Sequence, residues 1–501
     1  MNRQDRATSR ATDPGLPSSL ASVGFLVIAL SVTVLLFGAD STQGPAQVSL
    51  TLSGFFAAMV AMVRGVKWER LEAGIMKSIG DVTKAVLILL LIGALIGVWI
   101  LAGVVPAIIV VGLKILRPSL FLFAACVVSG IVSLATGSSW STAGTIGVAL
   151  IGIGQAAGID GAMTAGAIIS GAYFGDKISP FSETTNLASS MAGSDLFDHI
   201  RHMLYTTTPA VIIALCLYLF LGLRGPAGAD TAHISLITGT INAHFNTSLF
   251  LLIPPALTIA VMVKRIPAIP AIMCGIIMGF LFWLIFQRHH LALPAGSGAA
   301  DQAAHVIRTA LKTAASGYQA ATGVPEVDAL LSKGGMAGML TTIWLILSAM
   351  FFAGVMEGSG MLHAIALAVL KRVRSTGNLI AATLGTCILT NILASDQYLS
   401  IVVTGRMYRE VYEERGLEMK NLSRALEDGG TLTSPLVPWN TCGSFMASSL
   451  GVATFAYLPY AFMNLITPLI SALYGYTGIT IARVSPRINP STRDEVENKL
   501  P

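Results

Sequence analysis

The stretch "FGDKISPFSETTNLASS", residues 174–190, sets Asp176, Lys177 and Glu183 around a Ser-Pro step in a chain that is otherwise apolar for long runs on either side. Pro180 has no N–H to donate and biases Ser179 away from helical backbone. A helix arriving through "GAIISGAYFG" is therefore predicted to break near 178–181 and to restart through "ETTNLASS". The break frees carbonyl oxygens, and Ser179, Ser182, Thr184, Thr185 and Asn186 add more within a few residues. Such a set suits a hard cation, which prefers oxygen. Asp176 is the leading candidate for holding it. A charge at the centre of a membrane helix costs roughly 2.5–3.5 kcal/mol on insertion scales. Desolvation favours a proton on such a carboxylate, and a bound cation favours the ionised form. One group that holds either H⁺ or a cation, never both, is the minimum machinery for exchanging the two. Lys177 is the immediate neighbour and points to another helix face, so it need not neutralise Asp176. Glu183 lies across the break and reads equally as a second proton carrier or as a charge in the first turn of the restarted helix. The plainer alternative for the whole stretch is a polar loop joining two spans.

A second stretch, "DGGTLTSPLVPWNTCGS" (428–444), rebuilds the break with Ser434, Pro435, Pro438 and Asn440, but no acid occupies the place of Asp176. The charge is asymmetric, which suits one main cation site rather than two. "TGSSWSTAGT" (136–145) and "LASDQYLS" (393–400) form another pair that interrupts apolar runs. The first offers Thr136, Ser138 and Ser139 to a site, and the second offers Asp396 and Gln397. Asp396 is a candidate intramembrane acid; its alternative is a buried structural acid satisfied by hydroxyls. Glu357 reads as interfacial, and Arg406 as a side chain reaching for the membrane boundary.

These residues must be positioned by membrane helices. Of 501 residues only 11% are charged and 54% are apolar, against about a quarter charged in soluble proteins. An all-α polytopic membrane protein is the fold class this implies. The net charge of +5 needs no nucleic-acid partner. Basic residues fall where cytoplasmic loops would carry them: Arg3, Arg6 and Arg10; Arg64, Lys67, Arg70, Lys77 and Lys84; Lys264 and Arg265; Lys371, Arg372 and Arg374. Apolar runs near the roughly 20 residues that span a bilayer cover 20–38, 46–63, 83–104, 120–136, 143–158, 204–223, 248–264, 269–287, 338–357, 378–395 and 456–475. With shorter pieces at 105–116, 161–175, 360–370, 396–405 and 441–453, about eleven to thirteen spans are expected. The first run is too long for a signal-peptide core and reads as an uncleaved span. The stretch 287–335 reads as a long external loop, 406–424 as a charged helical connector, and the C-terminal tail as polar and disordered.

The chain also repeats itself. "SLATGSSWST" overlays "TNILASDQYLS" at an offset of 257, "ISPFSETTN" overlays "TSPLVPWN" at 255, and the run before Gly103 overlays that before Gly360 at 257. The basic loops place residue 83 inside and residue 338 outside, so the halves are expected to be inverted, as in secondary transporters with midplane sites. The organisation expected is a cytoplasmic tail 1–19, spans outside the repeat over 20–82, a first repeat 83–223, connecting spans and external loop 224–337, a second repeat 338–483, and a tail 484–501.

Enzyme signals are absent. "GIGQAAG" (152–158) follows no strand, and no Walker A sequence occurs. Neither the eight histidines nor Cys126, Cys216, Cys274, Cys387 and Cys442 show metal-ligand spacing, so no metal site and no cofactor are expected.

"GAYFGDKISPFSETTNLA", "TGSSWSTAGTIGVALIGIG", "DALLSKGGMAGML" and "SDQYLSIVVTGRMY" together resemble the NhaC family of Na⁺/H⁺ antiporters, from about residue 20 to 480 and in matching order. The resemblance implies inverted repeats whose broken or re-entrant helices meet near the midplane of the cell membrane. It puts Asp176, Ser179, Pro180 and Asn186 at family positions, with Glu183 where many members carry aspartate. The implied activity is exchange of Na⁺ for H⁺ by alternating access, with Li⁺ a further candidate ion. Similar proteins exchange small carboxylates such as malate and lactate, and here helix N-termini at the Ser-Pro breaks and Lys177 would serve an anion. That antiporter is the second reading; a channel or sensor is a third, which paired repeats disfavour. A homodimer is one assembly the sequence leaves open.

Overall fold

The computed structural model describes residues 14–115, 117–224, 231–264, 266–287, 298–371 and 373–484. Arg3, Arg6, Arg10, Arg265, Arg372, His289, His290 and the tail from 485 lie outside the described residues.

Helices α1 (Gly15–Phe37) and α2 (Pro45–Val63) lead into the long α3 (Trp68–Leu101). Gly103, at φ 78°, turns the chain into α4 (Val104–Ile115), and α5 (Pro118–Thr136) follows with proline at its first position, where no N–H is missed. α5 stops at Gly137, and α6 (139–156) restarts at once, widened by a π-helical segment at Ala143–Gly147. Then come α7 (Gly161–Ile178), α8 (Glu183–Ala192), α9 (Leu196–Arg224), α10 (Thr231–His244), α11 (Ile253–Val263), α12 (Ala268–Phe286), α13 (Ala299–Ser316) and the short α14 (Pro325–Leu331). The second half runs α15 (Leu340–Ser359), α16 (Met361–Leu370), α17 (Thr376–Leu393), α18 (Gln397–Glu414) and α19 (Met419–Leu426). A π segment, Glu427–Thr431, extends α19 before α20 (Thr441–Leu450), α21 (Thr454–Tyr457) and α22 (Phe462–Thr477).

Eight of these helices are long and apolar enough to cross a membrane, or ten if two bent pairs each count as one span. The larger number expected from sequence counted apolar stretches that form short or polar helices: α4 and α16 have 12 and 10 residues. α6 is interrupted at its start, and α7 carries Asp176 and Lys177. The chain is a multi-pass membrane protein.

The order of elements recurs. Gly103 and Gly360, Thr136 and Leu393 at two helix ends, and Ser139 and Asp396 just past them are each 257 residues apart.

α5 and α7 approach backbone to backbone. A Cβ on Gly171 would stand 2.0 Å from the Cys126 carbonyl oxygen, and one on Gly175 2.2 Å from that of Gly130. Small residues at four-residue spacing are what such contact between membrane helices requires. The result fixes the end of α7, with Asp176, beside the end of α5. Gly137, in left-handed backbone at φ 68°, touches the backbone of Phe181, where a Cβ would come within 2.7 Å. Two chain breaks are thereby packed on each other.

The stretch expected as an external loop is folded where described. Its Gly335 N–H donates to the Gly93 carbonyl at 2.6 Å, which docks the turn after α14 against α3. The connector over 406–424 ends inward: Arg424 is buried, and its Nη1 donates to Thr480 Oγ1 at 2.9 Å.

Candidate functional site

Ser138 caps α6, its Oγ accepting the Ser141 N–H at 3.1 Å. The next residue, Ser139, gives both its N–H (3.0 Å) and its hydroxyl (2.7 Å) to Oδ2 of Asp176. A carboxylate near the C-terminal end of its own helix is poorly placed there, and the positive start of α6 compensates. Asp396 caps α18, with Oδ1 accepting the N–H groups of Tyr398 (2.8 Å) and Leu399 (3.0 Å) and Oδ2 accepting the Thr441 hydroxyl (3.2 Å). Both acids are nearly buried and both face one cavity of about 520 Å³.

That cavity gathers Thr136, Ser138, Ser139, Asp176, Pro180, Glu183, Asn186, Asp396 and Gln397. Glu183 stands at its mouth, more than half exposed; it pairs with Lys84 Nζ at 2.6 Å and accepts the Tyr398 hydroxyl at 3.0 Å. Asn186 donates to the carbonyls of Pro180 (2.9 Å) and Ser182 (2.7 Å), holding the broken turn in shape.

The remaining expected residues surround the cavity without lining it. Ser179 donates to the Leu134 carbonyl at 2.8 Å and ties the break after α7 to α5. Ser182 caps α8. Ser434 donates to the Thr431 carbonyl (2.7 Å) and to Gln397 Oε1 (3.4 Å). Asn440 caps α20 and reaches Asn391. The carbonyls of Pro435 and Pro438 accept from Tyr457 and Ser444. Lys177 is wholly buried, pointing away from the cavity into an ion pair with Asp428.

A family model described as the Na⁺/H⁺ antiporter family matches residues 15–185 and 171–479. The chain belongs to this family. It is 36% identical to the Na(+)/H(+) antiporter NhaC of Alkalihalophilus pseudofirmus, over 92% of this chain and 97% of that one. It is 37% identical to the malate-2H(+)/Na(+)-lactate antiporter of Bacillus subtilis, over 91% and 92%. It is 36% identical to the arginine/ornithine antiporter ArcD of Halobacterium salinarum, over 95% of each. Relatives within this antiporter family thus bear names with different solutes, and the site itself must be read for this chain.

Sequence reasoning missed several residues of this antiporter's cavity. Asp81 and Lys84 come from α3, one helix turn apart at the mouth. Trp140 lines the cavity and stacks on the buried Phe445 with ring centroids 4.1 Å apart, bringing α6 against α20. Lys84 lay among the loop basics and Trp140 inside a quoted motif, so the types were visible but the partners were not.

Proposed function

We propose that this chain is a secondary active transporter exchanging Na⁺ for H⁺ across the cytoplasmic membrane by alternating access. The observation that carries the reading is the charge of the cavity. Among the described residues four carboxylates, Asp81, Asp176, Glu183 and Asp396, line it against one ammonium, Lys84. Two of the four are nearly buried and sit among serine and threonine oxygens, as a hard cation prefers. Na⁺ and H⁺ compete for these carboxylates, Asp176 first among them, and no resident metal or cofactor takes part. The halves related by 257 residues act as inverted repeats, one rocking against the other around the breaks. Each charge moved is worth about 2.3 kcal/mol per 100 mV, so the ion ratio decides whether voltage drives the cycle.

Exchange of a small organic solute, carboxylates of the malate and lactate kind included, is the second reading. The size of the cavity favours it, since small-molecule pockets begin at about 300 Å³. Against a carboxylate, Lys177 is held by Asp428, Lys84 by Glu183, and the starts of α6 and α18 by Asp176 and Asp396.

Proton movement in everted vesicles from antiporter-deficient cells tests both. NaCl, LiCl, KCl, malate, lactate or arginine is added to wild type and to Asp176→Asn. Dissipation of the pH gradient by Na⁺ in wild type, and by nothing in the variant, is the expected result. Dissipation only with an organic solute would transfer the assignment to the second reading.

A further inference from the structure

A second cavity, of about 230 Å³, lies farther along the helices that wall the acidic one. On α3, Ile88 lines the acidic cavity and Ile96 the second. On α6, Trp140 lines the first and Val148 the second. α20 begins at Thr441, whose hydroxyl reaches Asp396 in the first, and passes Ser448 in the second. Each helix thus runs about two turns from one cavity to the other, roughly 12 Å along α3 at 1.5 Å per residue.

One apolar layer stands between them. Ile92 lies midway along that stretch of α3 and is wholly buried; a Cβ on Gly144 would come 2.5 Å from its Cδ1. Phe445 lies midway along α20, also wholly buried, and stacks on Trp140 with ring centroids 4.1 Å apart. α20 packs on both α3 and the π segment Ala143–Gly147, which joins the two contacts into one barrier. Beyond it, the second cavity reaches the surface at Gly338 and Gly451, both exposed. It is smaller than the roughly 300 Å³ at which pockets for small organic molecules begin, so it suits an ion with water. The nearly buried Ser449 hydroxyl lines it and has no hydrogen-bond partner among the described residues, a group that water in the cavity would satisfy. Among its described lining residues Lys333 is the one charged side chain, and its Nζ donates to Gln155 Oε1 at 3.2 Å. Carboxylates draw a cation into the first cavity, and an ammonium discourages it from staying in the second.

We propose that the second cavity is the outward half of the cation's route, and that Ile92 on Gly144 with Trp140 on Phe445 is the gate closing it in this structure. This rests on the Na⁺/H⁺ reading and its alternating access. Arg64, Lys67 and Arg70 at the start of α3 put the acidic cavity on the cytoplasmic side and the second cavity outside. The π segment is the hinge, since such widened turns recur at functional sites. Returning it to ordinary α-helix turns the start of α6 by about 100° against its end. Trp140 then leaves Phe445, Gly144 leaves Ile92, and the two cavities join.

Thiol labelling of the full chain in intact cells tests this, with mass spectrometry locating each adduct among the native cysteines. The probe is a membrane-impermeant trimethylammonium thiosulfonate. Ser448→Cys is expected to react from outside, and everted vesicles from those cells to lose Na⁺-driven proton movement that treated wild type keeps. Thr136→Cys, in the acidic cavity, should react slowly from outside, and at least about tenfold faster when Ile92→Ala thins the gate. Its rate from the inner face should not change with Ile92→Ala, which a misfolded variant would not preserve. The proposal is overturned if an adduct at position 448 leaves proton movement intact or forms only from the inner face. It is equally overturned if Ile92→Ala folds and leaves outside labelling at position 136 unchanged. If Ile92→Ala does not fold, the results at position 448 decide. Should untreated wild type show no Na⁺-driven proton movement, the Na⁺/H⁺ reading fails, and the labelling at 136 and 448 still decides the route.

Discussion

Lys177→Met would leave Asp428 without its ion-pair partner in a site where both side chains are wholly buried. Asp428 Oδ1 would keep one hydrogen bond, from Thr206 at 3.3 Å, and Oδ2 has none among the described residues. Removing one partner of a buried pair costs about 3–5 kcal/mol, because the other stays desolvated without compensation. Asp428→Leu orphans the ammonium in the same way. The double variant removes both charges at once, and an apolar replacement of a buried pair is often neutral or stabilising by roughly 1–4 kcal/mol. The coupling energy of the cycle should therefore reach or exceed the upper end of the roughly 0.5–3 kcal/mol found between contacting residues.

Two assays are needed, since Lys177 was also a candidate contact for a transported anion. Unfolding of purified protein by denaturing detergent reads the coupling, and Na⁺-dependent proton movement in vesicles reads function. Both single variants should be strongly destabilised, and the double variant should recover the fold and Na⁺ exchange together. A single variant as stable as wild type would show that the pair holds nothing. A double variant that folds well but no longer moves Na⁺ would show that Lys177 serves the transported solute, and the argument from burial would be refuted.

Ser139→Ala removes the hydroxyl 2.7 Å from Asp176 but keeps the N–H at 3.0 Å. Hydrogen bonds to charged groups contribute about 1.5–3 kcal/mol, so the half-saturating Na⁺ concentration should rise about ten- to a hundredfold, read from Na⁺ titrations of proton movement. Gly175→Leu drives a Cβ to 2.2 Å from the Gly130 carbonyl, whereas Gly385 has open space within 4 Å. Size-exclusion profiles of the solubilised protein should show loss of the folded peak for Gly175→Leu and a wild-type peak for Gly385→Leu. Lys84→Gln breaks a pair that is more than half exposed on both sides, which is worth at most about 1 kcal/mol. Its thermal stability should match wild type, while Na⁺ uptake rises at low ionic strength as the cavity mouth becomes more negative.

The helix breaks were legible because their causes are local. Pro180 ends α7 at Ile178, Ser182 caps α8, and Gly137 supplies the left-handed residue after α5. Each acts within a few residues, so it is written in one short stretch. The partners were not legible. Lys177 meets Asp428 across 251 positions, and Trp140 stacks on Phe445 from the other half. Nothing at either end of such a pair encodes its mate, because only the packing of α7 on the π segment and of α6 on α20 brings them together. Glu427 and Asp428 illustrate the same limit, since nothing in two adjacent acids before "GGT" shows that a π segment carries both inward. Among the described residues fewer continuous apolar helices pass for spans than the roughly eleven to thirteen expected, for a physical reason too. Length and hydropathy count continuous helices, and the functional segments are the discontinuous ones.

Positions 139 and 396 carry the argument about symmetry further than the sequence pattern does. One half has a serine there and the other an aspartate, which reads as charge in one half only. In the fold, Asp176 arrives from α7 to accept the Ser139 N–H, while Asp396 accepts the N–H groups of its own helix. Each half thus sets one carboxylate on the start of the helix that follows its break, by two different routes. The helix starts favour the ionised form of these acids, and the acids occupy the donors that would otherwise attract an anion. A cation entering the cavity meets two carboxylates already ordered by backbone, with hydroxyls beside them, so little reorganisation remains for it to cause. A carboxylate solute would have to displace one of these acids from its helix or bind against both, and neither course is favourable.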